Sequence, residues 1–323
     1  MQAVVYTAPM ELAVLDVPEP TIGPGEVLVD VRAVGICGSE LEGVATRSPF
    51  RVPPLVMGHE FAGVRVDTGE HVVVNPVVSC MTCDLCDRGL VNVCRTREIL
   101  GIQRPGGYAE RVAVPEQNVV PVDPAVPFTT MALTEPIANA VHAMRLVQAN
   151  DPWPQRVGVL GGGAIGLAIA LVAQARGVPH IEITDLSPAR LEIARAHGIV
   201  PAGPALGGDD YDVVFDSVGS AATRGAALAK VRPGGTAVWV GLHGPEADLD
   251  GLAMIRREVR VLTAFCYDRN DFVVAARLVE STGPAWTART PGWVATRPLA
   301  EGDKTFLGLL DGPAEAVKTM LVR

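Results

Sequence analysis

The feature that most constrains this chain is a short apolar run, residues 157–160, that leads directly into Gly161-Gly162-Gly163-Ala164-Ile165-Gly166. The run reads as a strand, and the apolar pattern that follows the glycines reads as a helix. G-x-G-x-x-G between them suits a dinucleotide. Gly161, Gly163 and Gly166 allow a tight turn and close backbone approach, while Ala164 and Ile165 open a helix whose positive end faces a pyrophosphate. The next strand, 181–184, ends at Asp185, near the spacing of about 20 residues expected of a ribose-binding acid. A carboxylate there accepts hydrogen bonds from ribose hydroxyls and repels a 2′-phosphate, which favours NAD over NADP. Arg190, on the following helix, would soften that preference, but reads more simply as a surface residue.

The rhythm continues along the chain. Apolar runs at 213–215 and 237–240 alternate with helical patterns such as 188–196, where Ser187-Pro188 supplies an N-cap and a first-turn proline. Such alternation means βαβ units and a parallel sheet buried on both faces. Before residue 130 the texture differs: Val27-Leu28-Val29-Asp30-Val31 and His71-Val72-Val73-Val74 read as strands between breakers. After 267 come a helix (272–280) and short pieces, too little for an independent domain. The expected organisation is therefore α/β: a β-rich domain at 1–132, a doubly wound parallel-sheet domain at 133–266, and a return to the first domain at 267–323. The segment 259–264 is a candidate sheet edge for subunit association.

A net charge of −9 argues against nucleic acid, and no apolar stretch is long enough to span a bilayer. The N-terminus lacks the pattern of a secretory signal, so a cytoplasmic protein with reduced thiols is expected. Four of six cysteines, Cys80, Cys83, Cys86 and Cys94, fall in one stretch as C-x-x-C-x-x-C followed by a fourth. Thiolates at this spacing can close a tetrahedral, structural Zn²⁺ site. An iron–sulfur cluster is the alternative, weakened by the lack of a proline after Cys94 and of any second cluster. Cys266 reads as a small apolar side chain at a strand end.

Three separated fragments remain: Gly35-Ile36-Cys37-Gly38-Ser39-Glu40, Gly58-His59-Glu60 and Thr134-Glu135-Pro136. In this order, with the cysteine lobe and the glycine fingerprint, the whole chain resembles the zinc-containing medium-chain dehydrogenases of the alcohol dehydrogenase superfamily, down to 314–321. The acid at Glu135 is similar to the polyol, sugar and threonine dehydrogenase branch. The resemblance implies a GroES-like catalytic domain with a Rossmann domain, and a homodimer or homotetramer. It implies a catalytic zinc held by Cys37, His59 and either Glu60 or Glu135, with Glu40 orienting the His59 ring and Ser39 taking the substrate proton. Zinc would lower the pKa of the bound hydroxyl, and hydride would pass to the nicotinamide.

Where relatives commonly carry a relay histidine, this chain has Glu42, which either passes the proton onward or is merely an exposed acid. His142 reads as a packing residue. Leu41, Phe50 and Tyr108 are candidate pocket-lining residues. The expected activity is NAD-linked oxidation of a secondary alcohol of polyol, cyclitol or sugar type. An amino alcohol such as threonine, or carbonyl reduction on the same scaffold, is the alternative. From a different class, a catalytically silent zinc- and nucleotide-binding protein would hold two zincs and turn over no alcohol.

Overall fold

The strand Glu26–Gly35 organises the first part of the chain. Its Val27, Val29 and Val31 are buried while Leu28, Asp30 and Arg32 are only partly covered, the period-two signature of a strand with one face on a core. Glu60–Arg65, Arg111–Pro115 and Lys318–Val322 all pair with it antiparallel. Gly35 stands opposite both Glu60 and Met320. The register thus brings the strand end, the Gly58-His59-Glu60 fragment and the chain's last strand to one place. Val4, Tyr6, Phe61, Leu100, Tyr108 and Phe306 join the valines in the core beneath.

The computed structural model describes residues 1–150, 153–247, 249–289, 292–312 and 316–323. They divide into two units: Met1–Glu135 with Asp268–Arg323, and Pro136–Tyr267. These divisions fall slightly later than the expected 132 and 266. Of the 314–321 stretch, Ala314 and Glu315 lie outside the described residues, and the remainder runs into the strand Lys318–Val322.

The described residues of the second unit form a six-stranded, wholly parallel sheet flanked by helices. Across it run Val200–Pro201, His180–Thr184, Arg156–Leu160, Tyr211–Asp216, Val231–Trp239 and Arg260–Thr263. Counted along the chain, this is order 3-2-1-4-5-6, with the reversal between Arg156–Leu160 and Tyr211–Asp216. Both faces are covered at the centre, where 157–160 and 213–215 run apolar and buried, and the helix Ala164–Ala175 is buried from Gly166 to Ala173. Arg260–Thr263 is an edge of this sheet. The mixed α/β architecture, a β-rich unit and a doubly wound parallel unit, is the expected one.

Some local expectations change. The helix expected at 272–280 runs Arg269–Arg289. Ser187 occupies the N-cap position of Pro188–Ala196, but its side chain makes no capping bond. Instead its N–H donates to Asp185 Oδ1 at 2.7 Å. Cys266 is neither buried nor at a strand end: the strand stops at Thr263, and Cys266 sits half-covered with φ 51°. His142 is buried beside Arg145, whose guanidinium lies 3.2 Å from its Nδ1. No helix among the described residues is long and apolar enough to cross a membrane.

Candidate active site

Beyond Gly35 the backbone leaves the sheet, and Cys37 becomes the N-cap of the helix Gly38–Ala45. That cap sets the geometry of the site. The Cys37 N–H donates to Glu40 Oε2 at 3.1 Å, so the first turn folds its own carboxylate back toward the cysteine. Glu40 is fully buried, and its remaining acceptor positions are taken by Gly58 N–H at 2.8 Å, His59 Nδ1 at 3.1 Å and Tyr108 O–H at 2.5 Å. Burial opposes its charge, but His59, Tyr108 and Arg51 outweigh burial and hold the carboxyl down at about 2. An ionised Glu40 holds a His59 proton on Nδ1, so that Nε2 is the atom that would be offered to a metal. Burial lowers the affinity of the isolated His59 ring for a second proton, yet Glu40 and Cys37 raise its pKa well above the usual value.

Ligand atoms of Cys37, His59 and Glu60 lie within 4.8 Å of one another. Glu60 is 1 % exposed. Its Oε1 accepts from Lys318 Nζ at 2.7 Å, whereas its Oε2 has no partner. Lys318 also donates to Ile36 O at 3.2 Å. Burial works against the Lys318 ammonium, but Glu60, Cys37 and Glu135 raise its pKa. Glu135, buried in the first turn of Thr134–Asn150, reaches this cluster electrostatically but stands outside the three-residue set. A buried carboxylate oxygen without a hydrogen-bond donor, beside a thiol and an imidazole, suits a divalent cation. The donor set therefore fits zinc.

Ser39 Oγ donates to Cys37 Sγ at 3.2 Å and accepts from Arg51 Nη2 at 3.3 Å. Glu42 is half-buried on the same helix, its main-chain carbonyl accepting from Thr46 N–H and Oγ1, both at 2.8 Å. Tyr108 is no pocket wall. It is fully buried, its hydroxyl committed to Glu40, and its pKa pushed well up, first by burial and then by Glu40. Phe50 lines a surface groove with Val52, Leu55 and Ile102, while Leu41 packs partly against the core.

The cysteine lobe forms a second cluster. Cys83 caps the short helix Asp84–Asp87, Cys94 ends the 3₁₀ turn Val91–Val93, and Ser79 Oγ ties the loop to Val91 O at 2.7 Å. Sulfur separations are 3.4 Å (Cys80–Cys94), 3.6 Å (Cys83–Cys86) and 3.9 Å (Cys80–Cys86 and Cys83–Cys94). A tetrahedron with metal–sulfur bonds of about 2.3 Å has edges of about 3.8 Å, whereas a disulfide would close to about 2.05 Å. All four thiols are free. Hydrogen bonds from Thr82 pull Cys80 down to about 5, while burial and the neighbouring sulfurs push Cys86 up to about 12. The quartet fits a closed zinc site.

In the second unit, Gly161 has φ 96°, and a side chain on Gly166 would fall 1.8 Å from Gly161 O, so this close approach needs glycine. Gly163 caps the helix that Ala164 and Ile165 open. Asp185 Oδ2 accepts from Gly162 N–H at 2.7 Å, and Arg190 Nη1 stands 3.5 Å from the same oxygen. Sequence reasoning missed Ser217, whose Oγ bonds Leu160 O at 2.8 Å and Gly161 O at 3.1 Å across the point where strand order reverses. It also missed Arg51 and Lys318. Arg51 and Ser217 sit in no motif, and Lys318 lies in the 314–321 stretch that carries the resemblance without being singled out there.

A dinucleotide-type sheet and a β-rich unit with two metal-competent clusters define the class as pyridine-nucleotide dehydrogenases that use a metal. The alcohol dehydrogenase GroES-like domain family matches residues 23–124, and the zinc-binding dehydrogenase family matches residues 164–281. D-altritol 5-dehydrogenase of Agrobacterium fabrum is 30 % identical over 312 residues, covering 88 % of this chain and 93 % of the relative. L-threonine 3-dehydrogenase of Streptomyces avermitilis is 34 % identical over 281 residues, covering 77 % and 79 %. A zinc-binding dehydrogenase of Sinorhizobium meliloti solved with NADP has a TM-score of 0.87 at 26 % identity, covering 100 % of this chain and 99 % of that one. Acetophenone reductase of Geotrichum candidum solved with NAD has 0.86 at 25 %, covering 100 % and 97 %. The chain belongs to the zinc-binding alcohol dehydrogenase family, and with it to the zinc-dependent oxidoreductases that use NAD(P).

Proposed function

We propose that the chain transfers hydride between NAD and a secondary hydroxyl of a small polyol or sugar-like alcohol. The Cys37–His59–Glu60 cluster, with its half-buried thiol, buried imidazole and unpartnered Glu60 oxygen, carries this reading. Cys37, His59 and Glu60 would hold the catalytic zinc, and Cys80, Cys83, Cys86 and Cys94 the structural one. Bound there, zinc supplies Lewis acidity that lowers the pKa of a substrate hydroxyl. The chain's own residues do the rest. Glu40 fixes the His59 ring, Lys318 neutralises Glu60, and Glu135 adds a further negative charge felt by Lys318. Ser39 Oγ takes the hydroxyl proton, and Glu42, one turn along the helix, passes it outward. The glycine turn from Gly161 to Gly166 seats the pyrophosphate, and Asp185 holds the ribose.

Polyhydroxyl substrates are supported by the altritol dehydrogenase relative. The threonine dehydrogenase relatives favour L-threonine as the second substrate to test. Initial rates of NAD⁺ reduction by the zinc-loaded protein, across alditols, aldonates, cyclitols and L-threonine, are expected to show turnover concentrated in the first three. Turnover of L-threonine alone would move the assignment to the amino-alcohol reading, and no turnover at all would favour the silent one. Free thiols throughout support a reducing, cytoplasmic setting. The edge strand Arg260–Thr263 supports a homodimer or homotetramer built by sheet extension.

Asp185 sets cofactor choice in this reading. Asp185→Ser is expected to raise KM for NAD⁺ about tenfold and to shift the NADP⁺/NAD⁺ ratio of kcat/KM upward by about 10²-fold, since Arg190 then meets a 2′-phosphate unopposed. Steady-state kinetics with both cofactors check it; an unchanged ratio would remove Asp185 from cofactor selection.

A further inference from the structure

Arg51 lies in the loop between the helix Gly38–Ala45 and the strand Leu55–Val56. It is 7 % exposed, whereas its neighbours Phe50 and Val52 are each 68 % exposed. A guanidinium offers five N–H donors and stays charged at every physiological pH. Here one of them, on Nη2, reaches Ser39 Oγ at 3.3 Å, and Nε is buried with no acceptor. Among the described residues no carboxylate lies within salt-bridge distance of Arg51. Glu40 is the acid whose charge it feels, but all four acceptor positions of Glu40 are filled by Cys37, Gly58, His59 and Tyr108. Burying an unpaired cation is costly unless something else meets it.

The fold makes room for this arrangement. Gly43 sits within the helix Gly38–Ala45, and a side chain there would come within 2.7 Å of Arg51 Nη1. Glycine inside a helix sacrifices stability, so the space it leaves for the guanidinium is a cost accepted for the arginine. Through Ser39, Arg51 is two hydrogen bonds from the sulfur of Cys37.

We propose that Arg51 recognises a carboxylate on the substrate, so that the preferred alcohol is a hydroxy acid of the aldonate type rather than a neutral polyol. This rests on the dehydrogenase reading above and narrows its substrate. A planar fork matches a carboxylate through two parallel N–H···O bonds. A phosphate monoester carries nearly two charges and calls for more than one cation. Lys318, the other buried cation of this cluster, is already committed to Glu60 and Ile36 O. Arg51 is thus a specificity residue for the substrate's anionic group, adjacent to the serine proposed to take its proton.

The test compares matched pairs, C4 to C6 aldonates and the corresponding alditols, with sugar-alcohol phosphates as a third arm. The zinc-loaded wild type, Arg51→Met and Arg51→Lys are assayed for kcat/KM with NAD⁺. The wild type is expected to favour at least one aldonate over its alditol by about 30-fold or more, chiefly through KM. Arg51→Met should collapse that ratio toward one, and Arg51→Lys should restore part of it. A wild-type preference for neutral alditols or for phosphates overturns the assignment. So does an equal loss on acid and neutral substrates in Arg51→Met, which marks a residue that only positions Ser39 or balances Glu40. If no alcohol turns over, the dehydrogenase reading fails, and calorimetric titration of the aldonates into the zinc-loaded protein decides Arg51 separately. Saturable binding lost in Arg51→Met supports it, and absence of binding overturns it.

Discussion

His59→Ala is expected to lower kcat/KM for every alcohol substrate by about 10³-fold or more while leaving the fold intact. The magnitude follows from the chemistry assigned to the cluster. Lewis-acid stabilisation of a developing alkoxide is worth several kcal/mol, and about 4 kcal/mol corresponds to about 10³ in rate. The imidazole is the nitrogen donor of the set, held by Glu40 at 3.1 Å through its Nδ1. Without it, Cys37 and Glu60 remain as two ligands, and Glu60 is already shared with Lys318. The loss should appear in kcat as much as in KM, because the interaction matters most when charge develops on the substrate oxygen. Steady-state kinetics and metal analysis check it together: zinc content is expected to fall by one per chain, with the cysteine lobe still loaded. A variant that kept its activity would remove His59 from the reaction.

Cys94→Ser produces the opposite pattern, a large loss of stability with chemistry affected only through the fold. Cys94 is buried, and its sulfur touches Cys80 at 3.4 Å and Cys83 at 3.9 Å. Around it the lobe holds short pieces: a four-residue helix, a three-residue turn and a pair of two-residue strands. Zinc binding by such thiolate sets is folding free energy, about 10 kcal/mol or more in isolated peptides. Losing even about 3 kcal/mol of it in a protein this size shifts the melting temperature by about 5 °C. Differential scanning calorimetry is expected to show that drop, with one zinc fewer per chain. A Cys94→Ser protein as stable as the wild type would mean that the quartet binds no structural metal.

The parts of the molecule legible in the sequence were those governed by local rules. The strand 157–160, the glycine turn and the helix Ala164–Ala175 follow from apolar runs and from the steric needs of backbone near Gly161. The cysteine spacing likewise encodes a tetrahedron, because four thiols within one loop have little freedom to lie elsewhere. What the sequence hid was set by register between distant strands. Lys318 meets Glu60 because Met320 and Glu60 both stand opposite Gly35, a relation no local pattern contains. Tyr108 read as a pocket residue because aromatic character says nothing of direction. The structure turns its hydroxyl onto Glu40. Arg51 escaped notice for a related reason: an arginine between exposed Phe50 and Val52 looks like surface, and only the gap beside Gly43 shows where it goes. At Ser187 the side chain makes no capping bond, and it is Asp185, two residues earlier, that accepts from the Ser187 N–H.

Zinc-edge X-ray absorption on the zinc-loaded protein, read beside its metal content, tests most directly whether Cys37, His59 and Glu60 share an ion. Two zincs per chain are expected, whose first shells together hold five sulfurs and three lighter atoms, one of these a solvent oxygen. In His59→Ala the spectrum should collapse to a pure four-sulfur site. A wild-type spectrum that already shows four sulfurs and nothing else, with one zinc per chain, would contradict the account at its centre.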